Sequence, residues 1–140
     1  MPMPKNFVMT LANNDVSGKR GEAYVLVPLA ARKKNPGYWG WPARFEKADV
    51  YVERRVTVNE GGNRAERRIY YQDTKNEFRL GTDLYFSGAS SDAILLVQRE
   101  PEPGVDFSYR FIEPGESDYD TTKAHAKEWA PSGNKRFGYF

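Results

Sequence analysis

Asp73-Thr74-Lys75 is the first group in the chain that could do chemistry. It follows Arg68-Ile69-Tyr70-Tyr71-Gln72, which reads as a strand. An acid-x-Lys at a strand end, with a second acid such as Asp49 upstream, is half of a Mg²⁺-dependent nuclease site. Two carboxylates would hold the metal and the lysine would orient the attacking water. A polar loop at a strand end accounts for the same residues. His125-Ala126-Lys127 offers an imidazole nucleophile beside a phosphate-holding lysine. The acid expected about five residues after that lysine is missing, because Ser132 stands there. A surface histidine on a helix explains the triplet better. Tyr38, Trp39 and Trp41 lie among Lys33, Lys34 and Arg44, and aromatics interleaved with cations could stack on bases or sugars. Such a cluster more often packs under its own loop.

Composition removes other chemistries. The 140 residues hold no Cys and one His, so disulfides, thiolate nucleophiles, Cys-based zinc sites and His pairs are excluded within one chain. No phosphate-loop or dinucleotide glycine signature is present, no serine elbow, and no EF-hand spacing among the carboxylates of residues 100–120. No apolar run approaches the ~18 residues of a membrane span, and the first residues are too polar for a secretory leader. The formal net charge of +2 hides a segregation. Residues 1–79 carry +6, residues 80–122 carry −7 and residues 123–140 carry +3. Folding could gather the two basic segments on one face, as a polyanion-binding surface requires.

The elements that must carry these residues read mainly as β. Ala23 to Leu29 is a short apolar run in which Pro28 marks a strand edge or end. Residues 32–44 read as a Pro- and Gly-rich loop. Val50 to Val58 is rich in β-branched residues, Asn59-Glu60-Gly61-Gly62-Asn63 is a hairpin signal, and Ala65 to Tyr71 is the return strand. Ala93 to Gln98 is the most apolar run and is expected as a central strand. Phe107 to Ile112 alternates as a half-buried strand should. A helix is expected over Thr121 to Trp129, capped by Asp120, and a short helical turn before Gly81. Short strands with frequent Gly and Pro turns indicate a barrel or sandwich.

Three segments, in order, carry a family resemblance. Asn13-Asn14-Asp15-Val16-Ser17-Gly18-Lys19-Arg20-Gly21-Glu22-Ala23-Tyr24-Val25-Leu26-Val27-Pro28 resembles the start of the DNA-binding domain of NgoFVII-like restriction endonucleases. There a polar, Gly-containing stretch leads into a strand ending in Pro. Arg68 to Gly81 is similar to that family's second polar arm with its hydrophobic-Gly turn. Ser91 to Val97, with Asp106-Phe107-Ser108-Tyr109, is similar to its final strand pair. The resemblance spans roughly residues 10–112. It lacks the family's Trp-Gly in the first arm.

The resemblance implies a seven-stranded open β-barrel with short helices. This is the DNA-binding pseudobarrel of plant B-three domains, of the BfiI C-terminal domain and of the EcoRII effector domain. It implies one domain over residues 1–140, with a core at about 10–112 and a C-terminal extension at 113–140. It implies a non-catalytic target-recognition domain that binds double-stranded DNA as a monomer, without a cofactor or metal, in the bacterial cytoplasm. A nuclease domain would lie elsewhere on the full-length chain. Two arms would grip the major groove, one over residues 13–20 and one over 71–79. Arm one supplies Asn13, Asn14, Asp15, Ser17, Lys19 and Arg20; arm two supplies Tyr71, Gln72, Asp73, Thr74, Lys75, Asn76, Glu77 and Arg79. These types suit base readout, with Arg or Lys on guanine, Asn or Gln on adenine and acids on cytosine. Lys33 and Lys34, with Arg32, Arg44, Arg67 and Arg68, are candidates for phosphate contact. Two alternatives remain open. One is a small PD-(D/E)XK-like nuclease using Asp49, Asp73 and Lys75. The other is a β-domain binding carbohydrate or protein through Tyr38, Trp39 and Trp41.

Overall fold

The structure is a computed structural model that describes residues 3–11, 24–40, 51–72, 77–81, 90, 92–130 and 135–140, with the backbone alone for 51–53 and 72. The strands are β1 (Asn6–Thr10), β2 (Tyr24–Val27), β3 (Tyr51–Glu60), β4 (Asn63–Gln72), β5 (Glu77–Gly81), β6 (Ile94–Glu102), β7 (Val105–Ile112), β8 (Glu128–Trp129) and β9 (Arg136–Tyr139). Helix α1 spans Leu29–Lys34, a 3₁₀ turn spans Pro36–Trp39, and helix α2 spans Tyr119–Lys123. The strands form one sheet in the order β2-β5-β4-β3-β7-β6-β1-β9-β8. Every pairing is antiparallel except that of β3 with β7. The mainly β, open-barrel expectation therefore holds, with nine strands among the described residues instead of seven.

Alternation decides which face each strand buries. Val25 and Val27, Phe78 and Leu80, Val56 and Val58, Phe107 and Tyr109, Leu95 and Val97, and Phe7 and Met9 enter one core, together with Ile69 and Phe137. Trp39 lies inside it at 0% exposure. Its ring centroid is 5.1 Å from Phe7, 4.9 Å from Tyr38, 5.5 Å from Phe78 and 5.7 Å from Phe107. The β3–β4 hairpin closes through Gly61 and Gly62, with φ of 60° and 90°; two consecutive positive φ values match the right-handed twist of the flanking strands.

Elements at the two edges of the sheet bond to one another. The Trp39 indole N–H donates to the Tyr139 hydroxyl (2.9 Å), which donates to the Ala31 carbonyl (2.5 Å). The Lys135 ammonium reaches the Leu26 carbonyl (2.5 Å), and Lys34 pairs with Glu128. Elements around β2 are thereby tied to β8 and β9 across the open side of the barrel.

Residues beyond 112 are part of this sheet. β9 pairs with β1, Phe137 enters the core, and the Asn6 and Phe140 backbones exchange two hydrogen bonds of 2.9 and 3.0 Å. A second apolar cluster forms on the opposite face, where Tyr119 and Ala126 cover Val8, Ile94, Leu96 and Ile112. That cover makes β6 apolar on both faces and explains its unbroken apolar run.

Three sequence expectations are corrected. The helix expected over Thr121 to Trp129 begins earlier and stops at Lys123, and Glu128–Trp129 instead pairs with β9. The helical turn before Gly81 is strand β5, paired on both sides by β2 and β4. The stretch expected as loop from residue 32 contains the end of α1 and the 3₁₀ turn, whose Tyr38 N–H is accepted by the Asn35 side chain (3.3 Å).

Candidate functional site

Both nominated arms border one three-stranded ribbon, β2-β5-β4. Residues 12–23 rejoin the described chain at Tyr24, the first residue of β2, which faces Gly81. Residues 73–76 join Gln72 of β4 to Glu77 of β5, which face each other. The two junctions therefore lie at opposite ends of β5. Glu77 and Gly81 are four residues apart in that strand, about 13 Å at ~3.3 Å per residue.

One face of the ribbon packs on the core through Val25, Val27, Phe78, Leu80 and Ile69. Tyr24, Arg79, Tyr70 and Arg68 occupy the alternate positions and so share the other face. The Arg79 guanidinium lies 4.3 Å from the Tyr24 ring centroid and 5.7 Å from that of Tyr70. Its Nε and Nη2 donate to Glu77 Oε1 at 3.0 and 2.6 Å. Burial pulls the Arg79 pKa down, but hydrogen bonds to Glu77 and Tyr70 and the nearby Tyr24 outweigh it, leaving it above its ordinary value. Arg79 is therefore a fixed, buried cation, only 7% exposed. Arg68 lies 4.3 Å over the Tyr70 ring on the same face.

Lys33 and Lys34 occupy the last turn of α1 and are both exposed, with Lys34 paired to Glu128. Helix α1 follows β2 directly, past the Val27–Phe78 pair, at the end of the ribbon where residues 73–76 join its strands. Basic charge thus lies at the end of the ribbon where residues 73–76 connect β4 to β5. Of two other candidates for phosphate contact, one is buried and one is ion-paired. Arg32 is 4% exposed, and burial lowers its pKa. Arg67 donates through Nε and Nη2 to the Glu60 carboxylate at 3.2 and 3.3 Å.

Asn13, Asn14, Asp15, Ser17, Lys19, Arg20, Asp73, Thr74, Lys75, Asn76 and Arg44 lie outside the described residues, and Gln72 is placed by backbone alone at the end of β4. Sequence reasoning did not single out Tyr24 and Tyr70 at this face. Their only signal was an aromatic at the alternate, non-core position of a strand.

The competing constellations fare unequally. Tyr38 and Trp39 are 1% and 0% exposed, so neither offers a stacking platform; Trp41 lies outside the described residues. Asp49, Asp73 and Lys75 also lie outside them. The described sheet is almost wholly antiparallel, and α1 and α2 have only six and five residues, unlike the helix-flanked mixed sheet a PD-(D/E)XK site needs. His125 stacks on Phe140, with ring centroids 3.8 Å apart and planes within 6°.

No protein-family model matches the chain, and no curated protein matches it in sequence. Among solved structures it is similar to a mutant form of the UbaLAI restriction endonuclease B3 domain, crystallised with cognate DNA. The TM-score is 0.55 at 16% identity, over 99% of this chain and 89% of that one. The chain therefore has the fold of that domain, a mainly β open barrel.

Proposed function

We propose that this chain is a sequence-specific double-stranded DNA-binding domain, the target-recognition part of a restriction endonuclease. One observation carries the reading. The two polar segments resembling recognition arms border opposite ends of a single ribbon, about 13 Å apart along β5. The B-form major groove is ~12 Å wide, so side chains from both segments can enter one groove together. The shared fold with a domain crystallised on its cognate DNA supports the same reading.

In this reading Lys19, Arg20 and Lys75 contact guanine, and Asn13, Asn14, Gln72 and Asn76 contact adenine. Asp15 and Asp73 accept from cytosine, while Ser17 and Thr74 adapt to either strand. Lys33 and Lys34 hold phosphates at the second-arm end and set the register without reading sequence. The domain binds as a monomer and without a metal. Hydrolysis belongs to a nuclease domain elsewhere on the full-length protein.

The test starts by selecting the target from random duplex DNA. Each arm variant, Arg20→Ala, Gln72→Ala and Asn76→Ala, should lose about 1–3 kcal/mol on the target and little on a scrambled duplex. Lys33→Ala and Lys34→Ala should weaken both duplexes about equally. Equal losses on both duplexes for the arm variants would show that the arms do not read bases.

A further inference from the structure

Arg79 touches the first strand residue after each of the segments 12–23 and 73–76. Tyr24 follows residues 12–23 and gives its ring face to the guanidinium at 4.3 Å. Glu77 follows residues 73–76 and accepts from Nε and Nη2 at 3.0 and 2.6 Å. Tyr70, close to the departure of the second arm from β4, lies 5.7 Å away. One buried side chain therefore meets both arm junctions, which the strand register keeps at opposite ends of β5.

We propose that Arg79 is a positioning residue that sets the spacing and orientation of the two arms. The inference rests on the two-arm reading above and gives Arg79 a part distinct from contact with a base. A guanidinium bonded to Glu77 and covered by Tyr24 would have to break both contacts to reach a groove. Held in place, it links the two junctions by one rigid unit. Arginine suits this task because its planar fork can bond a carboxylate at its edge while its face stacks on an aromatic ring. A lysine ammonium is a point charge and cannot do both with the same geometry. Two arms read adjacent base pairs together only if their separation is fixed before binding, since a loose site forfeits selectivity.

The chain has no cysteine, so Ser17→Cys and Thr74→Cys together create a unique pair of labelling sites. Spin labels on the two arms report their distance distribution in the absence of DNA. Arg79→Met should widen that distribution, and Arg79→Lys should restore it only in part. Glu77→Gln removes the ion pair at nearly constant volume and should widen it too, which covers the case in which Arg79→Met fails to fold. In label-free protein, Arg79→Met should lower the ratio of target to scrambled affinity about tenfold while scrambled affinity stays within about twofold. An unchanged distribution in folded Arg79→Met or Glu77→Gln protein overturns the proposal. An equal loss on both duplexes overturns it as well, since that is the mark of a cation that only adds charge. If the wild-type domain binds no duplex, the DNA reading falls, and the label distances still decide the role of Arg79.

Discussion

Replacing Trp39 with alanine should cost the domain several kcal/mol of stability. The indole is 0% exposed and surrounded by the rings of Phe7, Tyr38, Phe78 and Phe107 at 4.9–5.7 Å. Those rings belong to β1, the 3₁₀ turn, β5 and β7, so the hole cannot close without moving several strands. A truncation of this kind costs about 3–5 kcal/mol, with the upper part of the range expected where collapse is blocked. The lost indole bond to Tyr139 contributes about 1 kcal/mol of this. At ~2.1 cal/mol/K per residue, the unfolding entropy of a 140-residue chain is about 0.29 kcal/mol/K. A loss of about 4–5 kcal/mol then lowers Tm by about 14–17 °C. Trp39→Phe keeps most ring contacts and should cost about 1–2 kcal/mol, or about 3–7 °C. Thermal and urea unfolding followed by circular dichroism measure both, and target binding by Trp39→Phe should stay near wild type at low temperature. The reasoning fails if Trp39→Ala melts within a few degrees of wild type. It fails equally if Trp39→Phe loses binding with no change in Tm, which would mean that the ring meets a ligand.

Duplex affinity should fall linearly in a log–log plot against salt, with a slope near −0.9 per phosphate contact; a flat titration would overturn the DNA-binding reading. Supercoiled plasmid incubated with the chain and Mg²⁺ should remain intact, whereas nicking abolished by Asp73→Ala would favour the nuclease alternative. Gly138→Ala should destabilise the fold by at least the ~3 kcal/mol upper end of ordinary overpacking, because the new Cβ would stand 1.7 Å from the His125 carbonyl oxygen. A Tm unchanged in that variant would mean that the turn after α2 does not lie against β9.

The hairpin of β3 and β4 was legible because two signals agreed, β-branched runs on both sides and Gly61-Gly62 between them. β6 and β7 were legible from an apolar run and a strict alternation. Pro28 correctly marked the end of β2. β5 was misread because Glu-Phe-Arg-Leu is too short for periodicity to separate strand from helical turn. Pairing on both sides, by β2 and β4, decides it. The misread over Thr121 to Trp129 has a similar cause. A nine-residue helix gains little by itself, while Tyr119 and Ala126 gain burial over β1 and β6 and the Glu128–Trp129 backbone gains a partner in β9. β1 and β9 carry no local signal strong enough to announce them, since their stability comes from pairing across nearly the whole chain. Of the arms, composition showed the kit of polar groups. It could not show that Arg79 is buried, because that depends on Tyr24 and Tyr70 meeting it from β2 and β4.

The paired backbones of Asn6 and Phe140 bring the start of β1 and the residue after β9 side by side. A short linker from Phe140 back to Met3 would join them without disturbing β1 or β9, and new ends could open at Gly61-Gly62, where the hairpin tip is exposed. Such a circular permutant keeps every strand pairing except continuity at one tight turn. The same adjacency governs fusions: a domain attached ahead of β1 or behind β9 would leave the barrel from one spot. Gene order could then be exchanged between such fusions with the linker still starting from that spot.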